Sequence, residues 1–174
     1  MARSPFVAGI RDCIPLAIPT VPFGLVLGVL IANSTVNNMV GWLATPVIYG
    51  GAAQLTVISV LAAGSAPLAA LVSGMVVSSR HLLYSAALAP SFADQPRWFR
   101  WLGPYTLVDQ VFALAQRFEQ SEPTRASPPT DPAAFRHYYL GASLVMWLPW
   151  QVWVMIGILA GAQLPNSWQL DFAV

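Results

Sequence analysis

Charge is the property that this sequence most clearly lacks. Only 9% of its 174 residues are charged, whereas a typical soluble domain carries about 25%. No Asp, Glu, Lys or Arg occurs between Asp12 and Arg80. That stretch is far longer than the roughly 20 apolar residues that cross a bilayer core of about 30 Å. A soluble domain of this size has too little interior to bury it, so the sequence predicts an integral membrane protein.

The chain also has a single cysteine, no lysine and a net charge close to zero. Because Cys13 is the single cysteine, an internal disulfide is excluded, and we expect Cys13 to be a small buried hydrophobic residue. All eight basic residues are Arg, and the net charge of +1 gives no reason to expect a nucleic acid as partner. We also expect no cofactor and no metal site.

Five apolar segments account for most of the chain. Together they predict an all-α, polytopic membrane protein with about five transmembrane helices in a single domain over residues 1–174. A polar, proline-rich linker at 117–131 separates the last two segments. The segments comprise residues 13–32, 39–63, 67–90, 101–116 and 138–162.

Two of these segments contain residues that interrupt helices. The first carries Pro15, Pro19 and Pro22, and the second carries Pro46 followed by Gly50-Gly51. Proline removes a backbone donor and clashes with the preceding turn. Transporters use such broken helices to direct half-helix N-termini at anionic substrate groups. Close packing of helices through small residues is the structural alternative, and the sequence leaves both interpretations open.

Ionisable residues inside the apolar segments are candidates for function, because burying a charge in a bilayer costs at least about 2.5–3.5 kcal/mol. Three such residues occur: Arg80, His81 and Asp109. Arg80 either acts in the membrane or extends its guanidinium to the headgroups, and His81 is either a proton relay or a structural residue. Asp109 is the best single candidate, with a structural ion pair to Arg80 as its alternative.

Gln54 is a weaker candidate in the second segment. If the helix breaks at the glycines, Gln54 falls in the first turn of a half-helix, where an amide and free backbone N–H groups suit a ligand carboxylate. An interhelical hydrogen bond is the alternative for Gln54. Asp12, beside Arg11 at the start of the first segment, predicts an interfacial salt bridge.

At these residues the sequence resembles the AzlC family, the large subunits of two-component branched-chain amino acid exporters. The resemblance extends over roughly residues 9–174, and its motifs follow one another in the family's order. Two departures are visible: Gln110 stands where the family usually has an acidic residue, and family members are longer. The matching motifs are Pro22-Phe23-Gly24, Gly51-Ala52-Ala53-Gln54, Arg80-His81-Leu82-Leu83-Tyr84 with Ser85, Asp109 with Phe112-Ala113-Leu114, the region of Trp147, and Leu170-Asp171-Phe172-Ala173.

The resemblance implies a multi-pass protein of the bacterial inner membrane that exports valine, leucine, isoleucine and methionine. It implies a small AzlD-type membrane subunit as partner, besides the lipid bilayer and the hydrophobic amino acid itself. Because Leu170 to Ala173 opens a further hydrophobic segment in the family, it also implies that one or two C-terminal helices of the family are missing here.

An amino acid zwitterion needs a carboxylate site, an ammonium site and an apolar pocket. We expect Gly50, Gly51 and Gln54, or else Arg80, to bind the carboxylate. Asp109 is expected to bind the ammonium group and, with His81, to couple transport to protons.

Two other classes of function compete with the transporter. A non-catalytic membrane scaffold or assembly subunit explains the interrupted helices as packing devices. An intramembrane hydrolase requires a serine facing His81, and Ser85 at i+4 is the best placed, but no nucleophile-elbow pattern accompanies it. We therefore expect no enzyme.

The arginines also predict an orientation, since cytoplasmic loops are enriched in basic residues. Five full spans with a cytoplasmic N-terminus place more arginines inside than outside, whereas a re-entrant second segment gives a smaller excess. In the five-span topology the inside set is Arg3, Arg11, Arg117, Arg125 and Arg136, and the outside set is Arg97 and Arg100.

Overall fold

All regular structure in this protein is helical wherever the structure describes it. The structure, a computed structural model, describes residues 4–121 and 131–163. This confirms the all-α prediction. Part of the predicted linker and the motif that begins at Leu170 lie outside the described residues. The helices are α1 (Pro5–Ala17), α2 (Thr20–Asn33), α3 (Asn38–Ile48), α4 (Gly51–Ala62), α5 (Pro67–Ser78), α6 (Arg80–Ala93), α7 (Arg97–Tyr105), α8 (Asp109–Ser121) and α9 (Pro132–Gly161).

The first four apolar segments are each divided into two helices. The expected interruptions lie at residues 18–19, between α1 and α2, and at residues 49–50, between α3 and α4. Two further breaks, at Ser79 and at residues 106–108, carry weaker sequence signals. Only α9 continues unbroken through its segment, even though it contains Pro149.

The count of five spans stays a prediction. Among the described residues, α9 is the one helix that by itself is long and apolar enough to cross a bilayer. Helices α1 and α2 meet the same criterion when they are counted together as one broken span. Helices α3 and α4 are apolar, but each is too short to cross alone.

The chain divides into two compact units. The neutral unit consists of residues 20–78 and 149–163, and its described residues contain no Asp, Glu, Lys or Arg. It comprises α2, α3, α4, α5 and the second half of α9. The charged unit consists of residues 4–19, 79–121 and 131–148, with α1, α6, α7, α8 and the first half of α9. Every charged side chain that the structure describes belongs to it.

Capping side chains fix where two of these helices begin. The Asn37 side chain accepts hydrogen bonds from the N–H groups of Met39 and Val40, so α3 starts at Asn38. Asp131 does the same for Ala133 and Ala134, and Pro132 occupies the first position of α9, where its missing N–H costs nothing.

Glycines let α9 approach a neighbouring helix closely within each unit. In the neutral unit a Cβ on Gly28 would collide with the Val154 carbonyl, and one on Gly157 would collide with the Leu25 carbonyl. In the charged unit a Cβ on Gly141 would likewise collide with a carbonyl of α1. Such small-residue crossings replace the hydrophobic driving force that is weak between helices in lipid.

Candidate functional site

The break between α3 and α4 lies in the neutral unit and exposes the start of α4. Tyr49 ends α3 in the left-handed conformation, with φ of 33°, and its N–H bonds to the Thr45 carbonyl. Gly50 is extended and has no side chain to cap the helix, so α4 begins at Gly51 with no side-chain cap. The first N–H groups of a helix have no acceptor inside it and carry a partial positive charge.

Gln54 lies in the first turn of α4 and is fully buried. Its Nε2 donates to the Gly41 carbonyl at 3.0 Å and to Thr45 Oγ1 at 2.9 Å, which ties α4 to α3. Its Oε1 is buried and has no hydrogen-bond partner among the described residues. The interhelical bond considered for Gln54 is therefore present, and it uses only one end of the amide.

Aromatic rings lie directly on the start of α4. A Cβ on Gly51 would meet Phe23 Cε1 at 2.7 Å and Trp150 Cη2 at 2.8 Å. The two rings are in contact, with centroids 5.7 Å apart. Trp150 is 6% exposed, and its indole Nε1 has no partner in the described part of the chain. Gly24 of α2 also lies near the Trp150 ring, at Cζ3 and Cε3. Gly24 and Gly51, which both belong to the family motifs, therefore contact the same tryptophan.

Gln151, next to Trp150 on α9, is a buried polar residue that was not predicted from the sequence. It is 8% exposed, and within the described residues neither Oε1 nor Nε2 of its amide has a partner. Its backbone carbonyl accepts a 3.2 Å hydrogen bond from the Trp42 indole of α3. A glutamine between two tryptophans in the apolar second half of α9 was the signal that could have found it.

Four buried polar atoms of the neutral unit therefore lack partners in the described protein: Gln54 Oε1, Trp150 Nε1, and Oε1 and Nε2 of Gln151. Most buried polar groups in proteins are satisfied, and each one that is not costs about 1–3 kcal/mol. Two of these atoms are donors and two are acceptors, and all are uncharged. Such a set suits a ligand that carries both signs of charge and no net charge.

Arg80 and Asp109 form an ion pair in the charged unit. Arg80 Nη1 lies 2.8 Å from Asp109 Oδ2, and the two side chains are 35% and 46% exposed. Each is the first residue of its helix, α6 and α8. The N-terminus of α8 favours the carboxylate, whereas that of α6 disfavours a cation. Arg80 Nε and Asp109 Oδ1 are buried without partners in the described chain, so the pair leaves hydrogen-bonding capacity unused.

The surroundings of this pair are aromatic. Tyr84, on α6, stacks on Phe112 of α8 with ring centroids 4.3 Å apart. His81 packs edge-on against Tyr84. The pairing with Arg80 that the sequence offered as the structural role of Asp109 is thus present, and the roles of His81 and Asp109 in proton coupling stay predictions.

Two acidic residues outside this pair have partners of their own. Asp12 accepts a hydrogen bond from the Tyr138 hydroxyl at 2.9 Å, and the structure records no ion pair between Asp12 and Arg11. Glu119, near the end of α8, accepts a hydrogen bond from Ser91. Burial raises the pKa of Glu119, and the hydrogen bond from Ser91 opposes that shift.

The predicted substrate residues are divided between the two units. Gly50, Gly51 and Gln54 belong to the neutral unit, which also contains Gln151 and Trp150, whose ring lies against Gly51. Arg80 and Asp109, with His81, belong to the charged unit. The described residues contain no cluster of three or more His, Cys, Asp or Glu side chains that could hold a metal ion.

Comparison with known proteins gives a consistent result. The family described as AzlC protein matches residues 15–164. The Inner membrane protein YgaZ of Escherichia coli is 25% identical over 160 residues, which cover 91% of this chain and 62% of that protein. An Uncharacterized membrane protein of Archaeoglobus fulgidus is 23% identical over 159 residues, or 91% of this chain and 64% of that protein.

The chain thus spans a little under two thirds of the length of the curated relatives it matches. No solved structure matches it. Both relatives are membrane proteins, and the family match covers most of the residues that the structure describes, including the four helix breaks within the first four apolar segments. The resemblance seen in the motifs is confirmed, and the chain belongs to the AzlC family.

Proposed function

We propose that this protein is the large subunit of a membrane exporter for branched-chain and other hydrophobic amino acids, and that the substrate binds at the start of α4. The observation that carries the proposal is the set of unpartnered, uncharged polar atoms on Gln54, in the first turn of the uncapped helix α4, on Trp150, which lies against Gly51, and on Gln151, the neighbour of Trp150 in the chain. Membership of the AzlC family supports transport as the activity.

A zwitterionic amino acid matches this group in charge. Its carboxylate takes the free N–H groups of α4, together with the donors Gln151 Nε2 and Trp150 Nε1. Its ammonium group takes the acceptors Gln54 Oε1 and Gln151 Oε1. A substrate of zero net charge needs no counter-ion, and the described residues of the neutral unit offer none.

Phe23 and Trp150 supply the apolar part of the site. Both rings lie on Gly51 and leave no room for even a Cβ atom there. Entry of the substrate therefore displaces at least one ring, which then contacts the aliphatic side chain of the bound amino acid. This requirement favours leucine, isoleucine, valine and methionine over small polar amino acids.

We assign Arg80 and Asp109 to proton coupling rather than to substrate binding, because each already neutralises the other. In this proposal Asp109 takes up a proton when the pair opens, and exchange of that proton is assigned to His81, the residue that follows Arg80 on α6. A small AzlD-type membrane subunit completes the transporter in this proposal.

The experiment that tests the proposal is counterflow of labelled leucine in liposomes that contain the protein together with the small subunit. Three competitors test separate requirements of the site. Isocaproate lacks the ammonium group, isoamylamine lacks the carboxylate, and glutamate carries a net charge. We expect unlabelled leucine to compete and each of the three analogues to compete at least about tenfold more weakly, the loss of roughly 1.4 kcal/mol of polar interaction.

Two results would contradict the proposal. Equal competition by isoamylamine and leucine would show that no carboxylate site exists at α4. Absence of counterflow from a correctly assembled complex would favour the scaffold or assembly subunit, which predicts assembly without transport.

A further inference from the structure

Helix α7, in the charged unit, has one face fixed to its neighbours and the opposite face exposed. Phe99 is fully buried and stacks on Phe92 of α6 with ring centroids 5.0 Å apart. Gly103 lies against the same Phe92 ring, and its carbonyl accepts a 2.6 Å hydrogen bond from the Tyr139 hydroxyl. These contacts hold α7 in one orientation on α6 and α9.

The exposed face of α7 carries cations and tryptophans together. Arg97 and Arg100 are exposed, Trp98 is half exposed, and Trp101 is 84% exposed. Within the described part of the chain no acidic side chain pairs with either arginine, although Asp94 lies only one turn before Arg97. Tryptophan is enriched at the membrane–water interface, and arginine there covers apolar surface with its stem.

A cleft of about 310 Å³ lies beside this face, between α6 and α7. Leu88, Ala89 and Phe92 of α6 form its apolar floor, and Pro104 and Leu107 close one side. Among the described residues that line the cleft, Arg100 is the one that carries a charge. Arg100 also lines a second recess of about 420 Å³, together with Arg97 and Trp101. A single arginine therefore stands where an apolar cleft meets a basic recess.

We propose that this surface binds an anionic phospholipid, with the phosphate group at Arg97 and Arg100 and part of one acyl chain in the cleft over Ala89. The two arginines lack a counter-ion within the described chain, and a lipid phosphate supplies one. The apolar cleft that opens at Arg100 requires a ligand whose charge is joined to a hydrocarbon chain, which a free phosphate ion is not. Basic amphipathic helices of this kind attract anionic lipids at the membrane surface.

Native mass spectrometry of the purified protein, alone and assembled with the small subunit, tests the proposal with palmitoyl-oleoyl phosphatidylglycerol and the matching phosphatidylcholine as probes. We expect the phosphatidylglycerol to be retained in preference. Arg100→Gln should reduce that preference about fivefold, the equivalent of about one basic residue near a membrane surface. The matched control is Arg117→Gln, which removes an exposed arginine of α8 that does not line the cleft and should leave the preference unchanged.

A second variant tests the cleft separately from the charge. Ala89→Phe fills the apolar floor without altering an arginine, and we expect it to reduce retention of both lipids. Equal retention of both lipids by the unaltered protein, or an equal loss in Arg117→Gln and Arg100→Gln, would overturn the proposal. Displacement of bound lipid by glycerol phosphate would also overturn it, because the site would then recognise a free anion. Loss of the bound lipid on assembly with the small subunit would instead identify the surface as a protein interface.

Discussion

The two units use the same arrangement of helices for different chemistry. In each, a helix of 14 residues, α2 or α6, precedes a short turn and a broken pair, α3 and α4 or α7 and α8. The helix after the break is α4, which begins with Gly51, in the neutral unit and α8, which begins with Asp109, in the charged unit. The start of α4 lies under two aromatic rings beside a fully buried amide, whereas the start of α8 carries a partly exposed ion pair.

The roles that we propose for the two helix starts differ because their first residues differ. A helix start without a side chain leaves its N–H groups and partial positive charge for a ligand. A helix start that carries its own carboxylate uses that partial charge itself, and here the carboxylate also pairs with a neighbouring arginine. We therefore expect substitutions in the neutral unit to change substrate binding, and substitutions in the charged unit to change coupling or stability.

The largest effect is expected from Gly51→Ala. The added Cβ would lie within 3.0 Å of the Phe23 and Trp150 rings, so the rings must shift, at a cost of about 1–3 kcal/mol. Because this occurs at the proposed binding site, leucine counterflow per folded molecule should be lost as well. Counterflow and the melting temperature are measured on the same preparation.

Gly103→Ala is the matched control in the charged unit, since its Cβ would collide with Phe92 in a similar way. It should lower the melting temperature and leave counterflow per folded molecule intact. An equal loss of counterflow in both variants would remove the functional distinction between the two units.

The next effect is expected from Asp109→Asn. It leaves the Arg80 charge without its partner and removes the only carboxylate of the pair, so net efflux of leucine driven by a proton gradient should be abolished. Counterflow without a gradient should persist, because the proposed binding site contains no charged group. Both modes of transport are measured in the same liposomes, with assembly checked by co-purification of the small subunit.

The double change Asp109→Asn with Arg80→Gln separates coupling from a purely structural pair. For a structural pair, the double variant regains stability and much of its activity, because no lone charge is left in a partly buried position. For a coupling site it stays inactive in gradient-driven efflux. Unaltered efflux in Asp109→Asn alone would exclude the residue from the mechanism.

The smallest effect concerns Glu119, whose pKa is raised by burial. The folded protein then holds this proton more tightly than the unfolded chain, so stability is lost as the pH rises above the ordinary range of a glutamic acid. Glu119→Gln should raise the melting temperature slightly at neutral pH, and the gain should vanish below about pH 4. The control is Asp94→Asn, at an exposed acidic residue of the same unit, which should not change the melting temperature at either pH. A gain in melting temperature for Glu119→Gln that grows toward acidic pH would contradict burial as the cause.

Local chemistry in the sequence was enough to predict several of these features. The long uncharged stretch indicated helices in a membrane, and Pro46 with Gly50-Gly51 indicated a broken helix. Because the break was expected there, Gln54 was correctly placed in the first turn of α4. The lone opposite charges Arg80 and Asp109 were correctly considered as a pair.

Features that depend on distant contacts were not predictable in the same way. The role proposed for Gln151 depends on the burial of its side chain and on the lack of a partner for its amide. Its backbone contact to Trp42 joins residues 109 positions apart, so no local pattern in the sequence could have indicated it. The break at residues 106–108 follows Gly103-Pro104, a signal no stronger than Pro149, at which α9 continues. Tertiary contacts decide which of two similar local signals ends a helix.

The most direct test of the central claim is Gln151→Met, with leucine counterflow and melting temperature measured together. The Gln151 amide has no partner in the described protein, so its removal costs no internal hydrogen bond, and the claim predicts unchanged or higher stability with counterflow lost. Gln95→Met is the control, because the buried Gln95 amide is hydrogen-bonded at both ends, to the Pro132 carbonyl and to Arg136. This variant should lose stability and keep counterflow per folded molecule. Full counterflow in Gln151→Met would contradict the assignment of this site to the substrate.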